Sequence, residues 1–296
     1  MPGQMSAAAA WLTVPAKRSR RTPAAPVKLR YAVRFAVAKT IPTRPGHPYK
    51  VRHMKVFVIS LASSVERRAS VSKKLGDKGI AFEFLDAVDG RVSNHPYLKN
   101  YDEQCFLVNR RRKAAPGELG CYVSHLLAWE KSVELNEPIV VLEDDFELTD
   151  NFKAGIAYIE QYVDKLAFVR LEPLEKRFFI TSKKGPDFAL VKQLNVGMCA
   201  TGYVITPHGA RKLLARGMRI EAPVDLYLKY TFTHNQIIHA LVPHIVYPTH
   251  ADSIIGINAR NEREKGAMLG LKRFVFKTGY AIANLFTNLV NSLTRF

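Results

Sequence analysis

The chain has few cysteines, no apolar run long enough to cross a bilayer, and no acidic residue in its first 53 positions. Each absence excludes something. Three cysteines, Cys105, Cys121 and Cys199, form no CxxC pair and are odd in number. That argues against a disulfide framework or a zinc knuckle and favours a reducing compartment. A membrane-spanning helix needs roughly 18–20 consecutive apolar residues, and no stretch qualifies. The AAAAWLTV segment is short, and its basic residues follow it, which is the wrong order for a secretory signal. Neither a GxxxxGK[ST] phosphate loop nor an HExxH helix occurs, which excludes a P-loop NTPase and a zincin-type hydrolase. The formal net charge is +18, but it lies at the two ends. Residues 1–53 carry eleven Lys or Arg and no acid, and residues 260–296 carry seven basic against two acidic residues. The middle is left almost neutral. A nucleic-acid-binding domain carries its charge on its own folded face, so no nucleic-acid partner is expected.

What is present is an orderly alternation. Residues 1–53 read as a disordered basic extension, with some likeness to a transit peptide, or as an upstream start-site artefact, with Met54 the functional start. VFVISL (56–61) is a continuous apolar run of the kind that forms a strand buried on both faces. Residues 63–79 have helical spacing, 81–88 read as a strand, and 117–135 as a helix. PIVVLEDD, AFVRLE (167–172) and the start of GYVITPHGARKLLARG (202–217) supply further strands, the last running into a helix. Strands alternating with helices imply an α/β domain with a mostly parallel central sheet over residues 54–258. Ligands bind beyond the carboxyl ends of such strands. Residues 259–296 are a separate tail. Within 268–293, Leu271, Val275, Ile282, Leu285, Leu289 and Leu293 follow helical spacing, while Lys272, Arg273, Lys277, Asn284, Asn288 and Asn291 occupy much of the rest. This predicts a basic amphipathic C-terminal helix, either packed on the domain or lying on an anionic membrane surface.

The chemistry concentrates in PIVVLEDDFELTDNF (138–152). Four apolar residues lead straight into Glu143, Asp144 and Asp145. Adjacent buried carboxylates repel one another, so they must reach water, pair with Arg or Lys, or bind a cation. The abrupt switch at a strand end favours a cation, and hard oxygen donors suit Mg²⁺ or Mn²⁺. Such an ion bridging a diphosphate offsets the charge that develops on a departing nucleotide. A nucleotide-sugar transferase fits this better than the classes excluded above.

Seven stretches taken together resemble one family, the glycosyltransferases of family 25. These are bacterial enzymes that build lipooligosaccharide, related to the galactosyltransferase domain that modifies collagen. The stretches are VFVISLASSVERRAS (56–70), FEFLDAVDG (82–90), GELGCYVSHLLAW (117–129), VVLEDDFEL (140–148), FVRLE (168–172), TGYVITPHGA (201–210) and PVDLYL (223–228). They occur in the family's order. The resemblance implies a GT-A-like fold, a UDP-sugar donor (most often UDP-galactose), a divalent cation of the Mn²⁺ type, and inversion at the anomeric carbon. By position it implies metal contact at Asp145 with Glu143, and Asp144 beside them. It implies donor contacts at Ser60, Leu61 and Arg67, along Asp86, Ala87, Val88, Asp89 and Gly90, and at Glu118, Gly120, Ser124 and His125.

Several of these residues also have plainer roles. Arg67 and Arg68 could form a solvated helix face. Cys121 and His125, one helical turn apart, could share a metal, or be a packed thiol and a hydrogen-bonded imidazole. Asp225 could cap a helix or serve as the general base that inverting transfer needs, with Glu172 and Asp145 as competitors. The expectation is a glycosyltransferase at the inner face of the cytoplasmic membrane, acting on a lipid-linked oligosaccharide. UDP-glucose or UDP-N-acetylglucosamine is the alternative donor. A non-catalytic, membrane-associated binding protein is the alternative of another class.

Overall fold

In β3 (Ile139–Glu143), consecutive side chains point to opposite faces of the sheet, and both faces are covered. Val140 and Leu142 join one apolar cluster, with Val56 and Val58 of β1 (Lys55–Ser60), Val71 and Leu75 of α1 (Val65–Asp77), and Ile156 and Ile159 of α4 (Phe152–Glu160). Ile139 and Val141 join the other, with Phe57 and Ile59, Tyr122 and Trp129 of α3 (Pro116–Leu135), and Leu213 of α5 (Pro207–Gly217). Burial on both faces is why these strands read as unbroken apolar runs rather than alternating ones.

The computed structural model describes residues 54–173, 178–249, 264 and 266–294. The reading of residues 1–53 as disordered lies outside them. The remaining elements are β2 (Glu83–Asp86), α2 (Glu103–Arg110), β4 (Phe146–Leu148), β5 (Phe168–Arg170), β6 (Phe179–Lys184), β7 (Ala189–Gln193), β8 (Gly202–Ile205), α6 (Val224–Lys229), α7 (Thr231–His234), β9 (Ile238–Val242), β10 (Val246–Pro248) and α8 (Ala267–Leu293). Eight strands form one sheet in the order β2-β1-β3-β8-β5-β9-β7-β6, and β4 pairs with β10 in a small antiparallel ribbon.

The architecture is the expected α/β sheet with a C-terminal helix, and its details are mixed rather than uniform. β2, β1 and β3 are mutually parallel, whereas β8 runs antiparallel between β3 and β5. Parallel pairing resumes at β5–β9, and the β7 and β6 pairings are antiparallel. The three leading strands deliver their carboxyl ends together, with Ile59 in register with Glu143 and Ser60 with Asp86. Because β8 is reversed, it brings its start to the same edge, where Glu143 N–H donates to Thr201 O at 2.9 Å.

Local chemistry starts the helices that flank this edge. Pro116 opens α3, and Glu118 Oε2 reaches back to accept from Ala115 N–H at 3.0 Å. Asp102 caps α2 by accepting from Cys105 N–H at 2.9 Å, and Thr206 caps α5 by accepting from Gly209 N–H at 3.2 Å. One close approach requires glycine. A Cβ on Gly120 would lie 2.2 Å from Val88 O and 2.6 Å from Gly90 N, so α3 sits directly against the loop that follows β2.

Candidate active site

A cavity of about 430 Å³ opens at the carboxyl edge of β1, β2 and β3. That is within the range of small-molecule sites. Of the sequence-predicted residues, Ser60, Leu61, Arg67, Ala87, Val88, Asp89, Gly90, Glu118, Ser124, Glu143, Asp144, Asp145 and Asp225 all line it. They come from β1, the loop after β2, α3, the end of β3 and α6, elements up to 165 residues apart in sequence.

The three consecutive acids have three different environments. Asp144 is engaged on both oxygens: Ser60 Oγ donates to Oδ2 at 2.7 Å and Arg67 Nη1 to Oδ1 at 2.9 Å. Glu143 is held from behind. His125 Nε2 lies 3.3 Å and Cys121 Sγ 3.6 Å from its Oε1, and Thr201 Oγ1 donates to Oε2 at 3.4 Å. Burial works against ionisation of Glu143, but the hydrogen bond and charge of His125, with Cys121 and Thr201, outweigh it and hold the carboxyl below its ordinary value. Asp145 has no such support. Its Oδ1 is buried without a hydrogen-bond partner, and burial, reinforced by Glu143 and Asp144, pushes its pKa up to about 6. A buried, unpartnered carboxylate oxygen beside two other acids is costly alone and is of the hard donor type that a divalent cation takes. The residues present therefore fit a divalent ion, with Asp145 as the open donor.

Cys121, His125 and Glu143 also converge, with their donor atoms within 4.8 Å of one another. His125 is nonetheless fully buried and used on both nitrogens, with Nδ1 2.9 Å from Tyr203 Oη. Tyr203 Oη in turn accepts from Trp129 Nε1 at 3.0 Å. The chain Trp129–Tyr203–His125–Glu143 is a buried polar support behind the acidic strand end.

Asp225 lies in the first turn of α6 and uses Oδ1 to accept from Leu226 N–H at 2.7 Å. Burial raises its pKa, partly opposed by that N–H and by the charge of Arg110. Pro223, not Asp225, is the N-cap of α6, and the second oxygen of Asp225 takes no part in the Leu226 bond.

Four predicted residues stand elsewhere. Glu172, offered as a possible base, is buried and committed: Arg170 Nε donates to its Oε1 at 2.8 Å and Gly202 N–H to Oε2 at 2.6 Å. Asp86 turns to solvent and pairs with Arg68. Gly120 is a packing contact against the loop after β2, as described. His125 sits behind Glu143 rather than in the cavity. The cavity also holds residues that sequence reasoning did not single out as contacts: Arg91, Arg110, Met198, Cys199, Ala200 and Thr201. Arg91 pairs with Asp89 at 2.6 Å. Arg110 has no ion pair among the described residues, and its Nε is buried without a hydrogen-bond partner. The only signal for it was the basic run Arg110–Arg111–Arg112, whose members diverge. Arg111 takes the left-handed cap of α2 (φ 60°), and Arg112 turns inward to a bidentate pair with Glu118 at 2.6 and 2.7 Å.

Comparison with known proteins identifies the family. The family model described as glycosyltransferase family 25 (LPS biosynthesis protein) matches residues 53–228. The chain is 29% identical over 272 residues to the lacto-N-neotetraose biosynthesis glycosyltransferase LgtE of Neisseria gonorrhoeae, covering 76% of this chain and 90% of that protein. It is 28% identical over 238 residues to a glycosyltransferase 25 family member of Aedes aegypti, covering 71% of this chain and 38% of that one. It is 31% identical over 201 residues to a probable inactive glycosyltransferase 25 family member 3 of Bos taurus, covering 64% and 33%. The chain thus spans only about a third of the length of the animal relatives. The match runs from the residue before the first described one through α1, the acidic strand end and Asp225, and the chain belongs to glycosyltransferase family 25.

Proposed function

We propose that the protein transfers a hexose, galactose first among the candidates, from a UDP-sugar to a lipooligosaccharide-type acceptor with inversion at the anomeric carbon. The observation that carries this reading is the unpartnered buried oxygen of Asp145 in one cavity with Asp225. Asp145 would hold a Mn²⁺ or Mg²⁺ ion, which when bound supplies charge stabilisation at the donor diphosphate. Asp144, fixed by Ser60 and Arg67, keeps the strand end rigid. The loop Ala87–Gly90 and Ser124 line the uridine side. Ser124 donates to no ligand group in this arrangement, because its Oγ already accepts from Val88 N–H at 2.8 Å and donates to Gly120 O at 2.7 Å. Its role is to hold the loop. Asp225 accepts the proton of the acceptor hydroxyl as that oxygen attacks the anomeric carbon opposite the departing UDP, a step typically worth 10²- to 10⁴-fold.

The gonococcal relative, named for lacto-N-neotetraose biosynthesis, supports an oligosaccharide acceptor. Such an acceptor is lipid-linked, which would put the enzyme at the inner face of the cytoplasmic membrane. No helix among the described residues is long and apolar enough to cross a membrane. A second reading has its own observation: one relative is named as probably inactive, so a binding protein of the same fold is the rival. The deciding experiment is a donor screen with UDP-galactose, UDP-glucose and UDP-N-acetylglucosamine in Mn²⁺, followed by linkage analysis of the product. Transfer from UDP-galactose that disappears in Asp145→Ala and falls at least about 100-fold in Asp225→Asn is the expected result. Near wild-type transfer in Asp225→Asn at saturating substrates removes the base from Asp225. No Asp145-dependent turnover with any donor removes the enzyme reading.

A further inference from the structure

α8 carries its polarity reversed for a helix packed on a domain. Apart from Tyr280, whose ring packs on Tyr230 and Phe232, the side chains that anchor it to the domain are polar. Asn288 accepts from Thr231 Oγ1 and donates to Leu194 O, both at 2.8 Å. Asn284 donates to Lys229 O at 3.1 Å. Lys277 donates to Asn109 Oδ1 at 3.1 Å and to the Tyr230 hydroxyl, and Arg273 donates to the carbonyls of Val108 and Asn109. The apolar side chains point away: Leu271, Phe274, Val275, Ile282, Leu285 and Phe286 are each at least 60% exposed. The sequence pattern leaves open whether Arg273 and Lys277 face the domain or a membrane surface; they face the domain, with Lys272 left on the outside.

The outward stripe runs along 27 residues, about 40 Å of helix. It is a contiguous apolar surface of a size that marks an interaction site. Its neighbourhood indicates the occupant. α8 has no acidic residue, Lys272 is exposed, and residues 260–296 are net basic. A second copy paired along this helix would want complementary charges flanking a narrow apolar seam. Here there is no acid in α8 to pair with Lys272, and Phe274 and Phe286 widen the apolar band beyond a seam. A spanning arrangement would strand the polar inner face, which is occupied by the domain.

We infer that the outward apolar face of α8 inserts into the surface of an anionic lipid membrane while its polar face stays fixed on α2 and α7. This rests on the proposed lipid-linked acceptor and adds the face, the driving force and the linkage to the site. α2 ends at Arg110 and α6 carries Asp225, both in the cavity wall, and α8 contacts the residues beside them. Docking therefore holds the cavity at a set orientation to the lipid. The attraction is mainly apolar, with the basic residues adding a screened contribution.

The test is vesicle flotation of the full chain with phosphatidylcholine–phosphatidylglycerol and with phosphatidylcholine alone, comparing wild type with the Ile282→Glu/Leu285→Glu variant. Mn²⁺-dependent hydrolysis of UDP-galactose in solution is measured on the same preparations. Wild type floats with the mixed vesicles, and the variant binds at least about tenfold less while hydrolysing the donor equally well. Raising salt to about 0.5 M lowers wild-type binding by only a few fold. Equal flotation of the variant, or no flotation of wild type, overturns the inference. So does a wild-type dimer that the variant converts to monomer with vesicle binding unchanged, which would make a second copy the occupant. Flotation intact with no hydrolysis in either protein would instead sink the enzyme reading and leave the docking face standing.

Discussion

At the scale of the single residue, adjacent acids of similar type are separated by what surrounds them. Asp144 and Asp145 differ in that one receives Ser60 and Arg67 and the other receives nothing on Oδ1. Their substitutions should therefore move stability in opposite directions. The pKa of Asp145 is raised from 3.8 to about 6, so the folded state binds a proton more tightly than the unfolded one. Stability is lost as pH rises from about 4 to 6, and above that the full cost of a buried charge is present. Without metal at pH 7.5, Asp145→Asn should be more stable than wild type by on the order of 1–3 kcal/mol, while losing Mn²⁺-dependent turnover. Asp144→Ala should be less stable, because it removes the acceptor of Ser60 Oγ and the ion-pair partner of Arg67 Nη1, by about 1–3 kcal/mol. Thermal melts in EDTA read both signs. A destabilised Asp145→Asn would mean that its oxygen has a partner.

At the scale of the element, the site depends on α3 packing its backbone directly against the loop that follows β2. Gly120 allows that contact, since a methyl group there would collide with Val88 O and Gly90 N. Gly120→Ala should push the Ala87–Gly90 loop off α3, breaking the Val88 N–H to Ser124 bond. The expected outcome is a loss of at least about 2 kcal/mol in urea unfolding, with a KM for the donor raised about tenfold and kcat changed less. An unchanged KM would detach the loop from donor binding. Much at this scale was legible in the sequence. β1, β3 and β8 are short apolar runs ended by polar switches, and α3 and α5 announce themselves by Pro at their starts. What was not legible is equally physical. α4 and β9 are short apolar segments, and length alone could not separate helix from strand. The reversal of β8 is a pairing choice made across the sheet, and no local pattern encodes it. Gly120 and His125 lie in a family-matching helix, yet spacing alone cannot say which turn faces the cavity and which faces Tyr203 and the loop. Glu172 reads as a free acid in FVRLE, and only the fold brings Arg170 and Gly202 N–H to consume it. α8 was legible as amphipathic, while the side facing the domain was not.

For the whole molecule, the buried polar residues set how stability responds to pH. His234 and His239 are buried. Burial is the first cause that lowers them from 6.5, to about 4 for His234 and to about 3 for His239, with the charge of Lys192 adding to the latter. Both are neutral in the folded state below pH 6.5, while the unfolded chain takes up protons there. Stability is thus fully present above pH 6.5 and declines as pH falls toward 4, by up to about 1.4 kcal/mol per histidine per unit. Asp145 acts in the opposite sense between about 6 and 4, where protonation relieves its burial. The two histidines outweigh the one carboxylate, so metal-free protein should lose about 1–2 kcal/mol between pH 7.5 and 5.5. His234 Nε2 lies 3.2 Å from Leu228 O, and its Nδ1 is buried. His234→Gln should therefore fold with a modest loss at pH 7.5 and show roughly a third of the wild-type decline, because Asp145 offsets much of what His239 alone contributes. Urea midpoints of the two proteins at pH 7.5, 6.5 and 5.5 measure this. Parallel declines in both would mean that His234 is protonated in the folded state and that the acid sensitivity originates elsewhere.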